Sequence, residues 1–564
     1  MILASCFVAS AVVYGALLLL GPNYALAVPI NERPLLTVLA LYVLAFVFYY
    51  VGLHAALSLP STRSFMLAIV GSSIALRTLL LPTPPFQEID IYRYLWDGAV
   101  TAEGVDPYAH SPQLVVDALD GAEPSSAKLL RLRDLAERQP PLAEIVRTIH
   151  YSELPSPYPP VSPAVFAAAA ATTPDSWSAF ARLVWLKAWI TAFDVATLLV
   201  VIAMLRRLDK PIGWAVAYGW CPLVLKEIAG SGHLDAIAVF FTTASVAAGV
   251  YAVTGQKKVR LAFAASLLLS LGVGAKLYPI VLAPWLAAGL MARFGWRRTL
   301  ACAAAFVATG LACLWPMFGG ANEPSPPQQT ITPPVVAAVA GGDAESLPPP
   351  RTLGATDTPS AKTEGLSAFL SEWEMNDLLF MVVYENLRWH GDTPAEIAPW
   401  FDFTPDAWSA SLRNADTRAF LVTRALTGAV FALIAIVLSW RSTRRLGRDT
   451  ADVDSWIRAA FLTIAWFWLL APTQNPWYWC WALPLIPWAS GRAWLAMSAT
   501  VMAYYLRFWL ASEFPDPGLA GTPYNGEYFF YFVVPWVEFV PVLAWLAVEA
   551  VRANRGTVLD REPT

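Results

Sequence analysis

The sequence predicts an all-α fold, a polytopic bundle of about 12–14 transmembrane helices with amphipathic helices in a large first loop on the non-cytoplasmic side. Of the 564 residues, 57% are hydrophobic and 14% are charged, whereas a soluble domain carries about 25% charged residues. The mean hydropathy is +0.50. Apolar runs of about 20 residues, long enough to cross a bilayer, recur along the chain. Helices are expected because each satisfies its own backbone hydrogen bonds in lipid.

The apolar runs give the predicted spans in chain order. They lie at residues 2–20, 35–58, 65–82, 180–205, 212–229, 234–253, 260–275, 277–291, 299–317, 418–440, 455–472, 477–490, 493–511 and 530–551. Residues 161–173 are too short to cross the bilayer comfortably. We therefore expect a re-entrant or partly inserted helix there.

Basic residues predict the orientation of the bundle. Lysine and arginine are enriched in cytoplasmic loops, and the basic clusters all fall on one side of this map. We expect that side to be cytoplasmic and to carry both termini. The clusters are Arg63, Arg206, Arg207, Lys210, Lys257, Lys258, Arg260, Arg293, Arg297, Arg298, Arg441, Arg444, Arg445, Arg448, Arg492, Arg552 and Arg555.

The map divides the chain into six parts. Apolar residues at helical spacing over 127–138 predict an amphipathic helix on the membrane surface. The proline-rich stretch 322–365 has no periodicity and is expected to be disordered. The parts are N-terminal transmembrane helices (1–82), an outer loop with amphipathic helices (83–160), central transmembrane helices (161–317), a second outer loop (318–417), C-terminal transmembrane helices (418–551) and a cytoplasmic tail (552–564).

A cluster of polar residues directly follows the third predicted span. Ionisable side chains at the membrane edge are costly, so such a cluster is a site hypothesis. In a helix, positions 90, 93, 94 and 97 share one face. A surface helix with an Asp–Arg pair is the plainer interpretation. The candidate residues are Glu88, Asp90, Arg93, Tyr94, Trp96 and Asp97, with Tyr108 in the turn that follows.

Five further outer-side segments carry polar or aromatic residues that a simple span does not need. Each of four segments also has a plainer interpretation. These are a helix start at 156–160, a helix cap at 230–235 with a nearby Lys226–Glu227 pair, a lysine that snorkels to the interface at 276, and an aromatic belt at 473–479. A lysine on the outer side opposes the topology bias and favours contact with a phosphate. The candidates are Tyr158 in 156–160, His233 and Asp235 in 230–235, Lys276 and Tyr278 in 274–279, Glu374 and Asn376 in 373–377, and Asn475 in 473–479.

Several function classes lack support in the sequence. It contains no Walker loop, Rossmann glycine fingerprint or H-E-x-x-H motif, and its five histidines lack metal-ligand spacing. Soluble nucleotide chemistry and zinc hydrolysis are therefore not expected. No basic patch is interleaved with exposed aromatic residues, so we expect no nucleic-acid partner.

The motifs, taken together, resemble a known family. The first outer loop resembles that of GT-C type glycosyltransferases, most closely the bacterial polyprenyl-phosphate-mannose-dependent α-mannosyltransferases. The later motifs occur in the same order in such proteins, and the resemblance spans roughly 85–490. Asp106-Pro107-Tyr108 replaces the more usual Asn-Pro-Tyr, and the proline-rich insertion and an extra N-terminal pair of spans also differ. The motifs are Glu88-Ile89-Asp90-Ile91-Tyr92-Arg93-Tyr94-Leu95-Trp96-Asp97-Gly98, Tyr158-Pro159-Pro160, Gly232-His233-Leu234-Asp235, Lys276-Leu277-Tyr278-Pro279 and Trp373-Glu374-Met375-Asn376.

The resemblance implies an inverting transfer of a hexose, with mannose favoured, from a polyprenyl-phosphate donor to a glycolipid or glycan acceptor. It implies that Asp90 is the general base and that the other candidates bind substrate. Lys276, Arg93 and the helix ends at 230–233 are candidates for stabilising the leaving phosphate. The resemblance settles no cofactor, and a divalent cation on Glu88 and Asp90 is left open. The expected setting is the bacterial inner membrane, in contact with its lipids and with the site facing the periplasm.

Two other classes of function compete with this interpretation. A transporter or flippase of lipid-linked glycans would use the same cluster as a head-group site, and broken helices with intramembrane charges fit transporters. Transporter sites, however, lie near the bilayer midplane, whereas these polar groups gather at one face. A structural subunit of an envelope complex is the third possibility.

Overall fold

The computed structural model describes residues 1–254, 258–318, 366, 373–388, 390, 393–403, 416–448, 452–489 and 491–559. Within these ranges the regular structure is helical, and the β pairing is one isolated bridge between Met375 and Thr473. The predicted all-α bundle is therefore confirmed. The proline-rich stretch predicted at 322–365 lies outside the described residues.

Nine helices of the described residues are long and apolar enough to cross a membrane. Each coincides with a predicted span. They are Ile2–Tyr24, Leu35–Leu57, Arg63–Leu80, Ala179–Arg207, Asp235–Thr254, Trp296–Phe318, Ala419–Leu446, Val453–Leu470 and Gly526–Arg552. Shorter apolar helices occur at Val161–Ala171, Val259–Ala275 and Tyr278–Phe294.

We number the longer helices in chain order. The first nine are α1 Ile2–Leu20, α2 Leu35–Leu57, α3 Arg63–Leu80, α4 Ile91–Ala102, α5 Pro112–Leu119, α6 Ala127–Arg138, α7 Pro140–Arg147, α8 Val161–Ala171 and α9 Ala179–Arg207. The others are α10 Asp235–Thr254, α11 Val259–Ala275, α12 Ala283–Phe294, α13 Trp296–Phe318, α14 Leu379–Leu387, α15 Asp416–Arg448, α16 Val453–Leu470, α17 Ala493–Thr500, α18 Leu506–Glu513, α19 Gly526–Phe532 and α20 Val534–Leu559.

Three predicted spans, at 212–229, 477–490 and 493–511, are series of short helical segments rather than single helices. The predictions of continuous spans there were wrong because hydropathy does not report breaks. Proline, which lacks an N–H group, begins or interrupts several of these segments. Irregular backbone is tolerated at membrane depth where protein surrounds it. The segments are Ile212–Ala215, Val216–Gly219, Pro222–Val224 and Leu225–Gly230; Pro476–Trp479 and Leu483–Trp488; and Val501–Tyr505 between α17 and α18.

The segment 83–160, predicted as the first outer loop, contains the predicted amphipathic helices, α4 to α7. In α6 the buried positions Leu129, Leu132 and Leu135 recur at helical spacing. They are covered by protein, since α6 packs on α5 and α7. The predicted helix is thus confirmed, but its apolar face is covered by the neighbouring loop helices rather than by the membrane surface.

The short helix α8 packs directly on α4 and fixes the position of the polar cluster. At 11 residues α8 is too short to span a bilayer, as the sequence predicted. Gly98 permits close contact, because a Cβ atom there would lie 2.7 Å from the carbonyl oxygen of Phe166. One turn earlier, the ring of Tyr94 stacks on Phe166 with centroids 4.9 Å apart.

A buried ion pair joins α3 to α9 within the bundle. Arg77 Nε lies 2.6 Å from Asp194 Oδ2, and the two side chains are 1% and 0% exposed. Tyr218 donates a hydrogen bond of 2.6 Å to the same carboxylate, and Arg77 donates one of 2.7 Å to the carbonyl of Gly219. Removing one partner of such a pair is costly because it leaves an uncompensated buried charge. The pair therefore fixes α3 and α9 to the broken segment at 212–230.

We expect Gly98→Ala to destabilise the protein by about 1–3 kcal/mol, the usual cost of overpacking, because the new Cβ meets immobile backbone of Phe166. Thermal unfolding in detergent measures the effect. Gly71→Ala is the matched control, since a Cβ at this helical glycine meets nothing within 4 Å. Equal unfolding temperatures for the two variants would contradict the close contact of α4 with α8.

Candidate functional site

A cavity of about 800 Å³ lies beside the start of α4. Its wall combines carboxylates, cations and aromatic rings from segments far apart in the sequence. The predicted candidates that line it are Glu88, Asp90, Arg93, Tyr94, Tyr158, Lys276, Tyr278 and Asn475. The predicted candidates outside its lining are Trp96, Asp97, Tyr108, His233, Asp235, Glu374 and Asn376.

The two acids of the Glu-x-Asp pair lie in different surroundings. Asp90 directly precedes α4, and its side chain is 39% exposed. Glu88 accepts a hydrogen bond of 2.8 Å from the hydroxyl of Tyr504. Burial, followed by the nearby charge of Asp90, raises the pKa of the Glu88 carboxyl. Asp90 keeps more than a third of its side chain accessible to a reactant, whereas Glu88 is held by Tyr504.

Arg93 and Asp97 hold α4 in place. Arg93 Nε lies 3.0 Å from Asp97 Oδ1, and its Nη2 donates a 2.9 Å hydrogen bond to the carbonyl of Leu154. Ser156 donates a 2.6 Å hydrogen bond to the other oxygen of Asp97. The Asp–Arg pair of the plainer interpretation is thus present, but on a buried helix rather than a surface helix, since Arg93 and Asp97 are 6% and 2% exposed. Although Arg93 borders the cavity, its guanidinium already has a carboxylate partner.

Aromatic contacts assemble the wall next to α4. Tyr158 meets Tyr94 edge to face, with centroids 5.1 Å apart. Tyr108 donates a hydrogen bond of 2.7 Å to the carbonyl of Tyr158, which places the Asp-Pro-Tyr turn behind the wall. Trp96, on another side of α4, is buried at 2% exposure. Tyr108 therefore supports the wall from behind, whereas Trp96 belongs to the core.

His233 lies between two carboxylates just behind the cavity. Its Nδ1 is 4.0 Å from Asp90 Oδ2, and its Nε2 is 3.3 Å from Glu227 Oε2. Its ring stacks on the cavity residue Trp477, with centroids 4.3 Å apart. Lys226 lies 3.3 Å from Glu227, so the pair considered from the sequence is formed.

The backbone that presents Glu227 and His233 is unusual. Leu225–Gly230 is a π-helical turn, a rare conformation that is frequent at functional sites. Gly232 follows with φ of 78°, which returns the chain towards α4. Hydropathy alone predicted an ordinary span ending here, so this geometry was not foreseen.

Lys276 is one of the basic residues that line the cavity. Its Nζ lies 2.7 Å from Asp235 Oδ1 and 4.1 Å from the ring centre of Tyr478. Trp481 also donates a hydrogen bond to Asp235 and stacks on Tyr278 with centroids 4.1 Å apart. Burial lowers the pKa of the Lys276 ammonium, and the charge of Asp235 offsets part of that shift. The snorkelling interpretation does not fit, because this lysine is held inward by a buried carboxylate.

The segments at 373–376 and 473–475 meet. Met375 donates a backbone hydrogen bond of 2.9 Å to Pro472, and Gln474 donates one of 2.9 Å to Met375. Asn376 donates a 3.0 Å hydrogen bond to Glu538 of α20. Asn376 therefore anchors the 373–376 segment, while Asn475 remains in the cavity wall.

The sequence interpretation missed several residues that line the cavity, most notably Arg507 of α18. Arg507 lies near Tyr504 and contacts the Met375 sulfur at 3.5 Å. An arginine inside a predicted span was itself a signal, because intramembrane charges are rare and usually functional. Other missed lining residues are His150, Tyr151, Trp477, Tyr478, Trp481 and Tyr504.

The carboxylates that would hold the divalent cation considered from the sequence are Glu88 and Asp90. Across the described ranges, no group of three or more His, Cys, Asp or Glu side chains is arranged to hold a metal ion. Two carboxylates with a hydroxyl neighbour fit a cation that keeps most of its water ligands.

Comparison with known proteins places the chain in a family. A family model described as alpha-(1->6)-mannopyranosyltransferase, N-terminal domain, matches residues 4–293, which is more than half of the chain. Comparisons with curated proteins and with solved structures gave no match. The match confirms the resemblance found in the motifs and supports mannosyl transfer as the activity. The chain therefore belongs to the alpha-(1->6)-mannopyranosyltransferase family.

Proposed function

We propose that this protein is an inverting mannosyltransferase that uses a polyprenyl-phosphate mannose donor and a glycolipid or glycan acceptor. The observation that carries the proposal is the exposed carboxylate of Asp90 in a cavity that also presents Lys276 and Arg507. A base and cations around one space are what transfer from a phosphate leaving group requires.

Asp90 acts as the general base in the proposed reaction. It takes the proton of the acceptor hydroxyl while the hydroxyl oxygen attacks the anomeric carbon of mannose. The bond from that carbon to the phosphate oxygen breaks, and the electron pair leaves with polyprenyl phosphate. A single displacement of this kind inverts the configuration at the anomeric carbon.

Lys276 and Arg507 stabilise the leaving phosphate. Negative charge develops on that group, and fixed cations in a site shielded from water lower the barrier. Arg93, the other cation considered from the sequence, also borders the cavity and is paired with Asp97, as Lys276 is with Asp235. Apolar side chains of Leu277, Phe467 and Leu470 in the same cavity suit an isoprenoid chain.

The reaction is proposed to take place on the periplasmic face of the bacterial inner membrane, with both termini in the cytoplasm. Support comes from the one-sided distribution of basic residues in the sequence. The cavity-lining residues of 86–94, 150–159 and 473–478 belong to outer loops or span ends in that topology.

The direct test uses the purified full-length protein in nanodiscs with radiolabelled polyprenyl-phosphate mannose and a crude glycolipid fraction. Transfer of label to a new lipid or glycan would support the proposal. Binding of several polyprenyl-phosphate sugars without transfer from any of them would instead favour a flippase.

We expect Asp90→Asn to lower kcat by at least about 100-fold, the contribution typical of a general base, while donor binding is retained. Radiolabel transfer and donor binding would be measured on the same preparation. Asp106→Asn is the matched control, since it changes an acid of the same loop outside the cavity lining. Full activity of Asp90→Asn would remove Asp90 from the base role.

The lowered pKa of Lys276 predicts the alkaline limb of the pH profile. The ammonium is present below its pKa and lost as the pH rises through it, so transfer should decline at lower pH than with an ordinary lysine. Lys276→Arg keeps its charge and should abolish that decline in kcat/KM. Lys210→Arg, paired with Asp454 elsewhere, should leave it unchanged. A decline that persists in Lys276→Arg belongs to another group.

A further inference from the structure

Lys187 is a buried lysine within the spanning helix α9. Its side chain is fully enclosed, with 0% exposure. Lysine at membrane depth is costly and calls for polar partners. Across the described part of the chain its hydrogen-bond partners are oxygens of Leu80 and Thr83, and none is a carboxylate. The site described above does not use this lysine.

The partners of Lys187 lie where α3 ends and the Glu88–Asp90 loop begins. Its Nζ donates to the carbonyl of Leu80 at 3.0 Å and to the carbonyl of Thr83 at 2.8 Å. Leu80 is the last residue of α3, and the last carbonyls of a helix have no partner within the helix. Lys187 therefore supplies the donor that the structure shows for the Thr83 carbonyl. It is a further donor to the Leu80 carbonyl, which also accepts from Thr83 N at 3.2 Å and from Thr83 Oγ1 at 2.7 Å.

The aliphatic stem of Lys187 contacts the other side of the site. A Cβ atom on Gly232 would lie 3.0 Å from Lys187 Cγ and 2.4 Å from Ile91 Cδ1. Ile91 follows Asp90 in the chain, and Gly232 precedes His233. The Lys187 side chain thus contacts both the segment that leads to Glu88 and Asp90 and the Gly232–His233 turn. Ile91 packs against the same glycine, Gly232.

We propose that Lys187 is a positioning residue, which fixes the 83–90 loop against the Gly232–His233 turn and thereby holds Asp90 in its reactive place. The inference rests on the proposed role of Asp90 as base. Without the amine, the Thr83 carbonyl loses the donor that the described residues give it, and α9 loses its hydrogen bonds to the end of α3, so that the loop is free to shift. Lys276 and Arg507 lie on other segments, so their contribution to donor binding is retained.

The test compares Lys187→Met with Lys187→Arg in the full-length protein. Methionine keeps the apolar stem but lacks the donors, whereas arginine keeps donors for the same carbonyls. A displacement of about 1 Å can reduce a rate about 100-fold. We therefore expect Lys187→Met to lose about that much in kcat with little change in donor KM, and Lys187→Arg to recover most of the loss. Hydrogen exchange of amides 83–92, read by mass spectrometry, should accelerate in Lys187→Met.

Arg182→Met is the matched control on the same helix. Arg182 is 6% exposed and donates to the carbonyls of Pro174, Asp175 and Trp177, in a loop without site residues. Its loss should reduce thermal stability without accelerating exchange at 83–92 or changing kcat. If Lys187→Met and Arg182→Met behave alike, Lys187 has only a structural role.

The exchange measurement separates this inference from the proposed function. Unchanged exchange at 83–92 in folded Lys187→Met would overturn the positioning role even if transfer is confirmed. Faster exchange there, in a protein without transferase activity, would support the positioning of the loop and refute the reaction. If Lys187→Met does not fold, Lys187→Gln carries the same test, because the glutamine side chain is polar but one bond shorter than lysine, so its amide does not reach both carbonyls. Wild-type exchange and kcat in Lys187→Gln would then overturn the proposal.

Discussion

Compensation of charge inside an apolar bundle is the constraint on which the rest of this structure depends. An ion removed from water costs several kcal/mol unless a partner replaces the lost hydration. Arg77 meets Asp194, Lys276 meets Asp235 and Lys226 meets Glu227. Each pair joins polar groups within the bundle, and the first two link elements distant in the chain. The contacts that make buried charge tolerable therefore also fix the segments around the cavity.

The candidate site separates ionisable groups that hold the structure from groups that remain accessible. Asp97 is engaged by Arg93 and Ser156, and Glu88 by Tyr504. Asp90, on the same short stretch of chain, keeps 39% of its side chain exposed. The hydrogen bonds of Glu88 and Asp97 hold the chain on both sides of Asp90 in place. A general base has to be positioned in this way before the reaction.

Length and hydropathy were enough to predict the nine long helices, because a helix in lipid must be apolar over a bilayer's thickness. They also indicated the acids at 88 and 90, whose charge contrasts with the span before them. The breaks at 212–230 were not predictable, because the side chains of a buried irregular segment are as apolar as those of a continuous helix. The contact of Glu88 with Tyr504 joins residues 416 positions apart. Such pairing depends on how helices pack, which no local pattern reports.

The wall of the cavity draws on both halves of the chain. The family match ends at residue 293, whereas Trp477, Tyr504 and Arg507 lie far beyond it. The acids and Lys276 thus belong to the matched half, and much of the aromatic wall belongs to the other. The shape of the space open to a substrate therefore depends on residues on both sides of position 293. A substitution in the second half can alter the cavity without replacing either acid or Lys276.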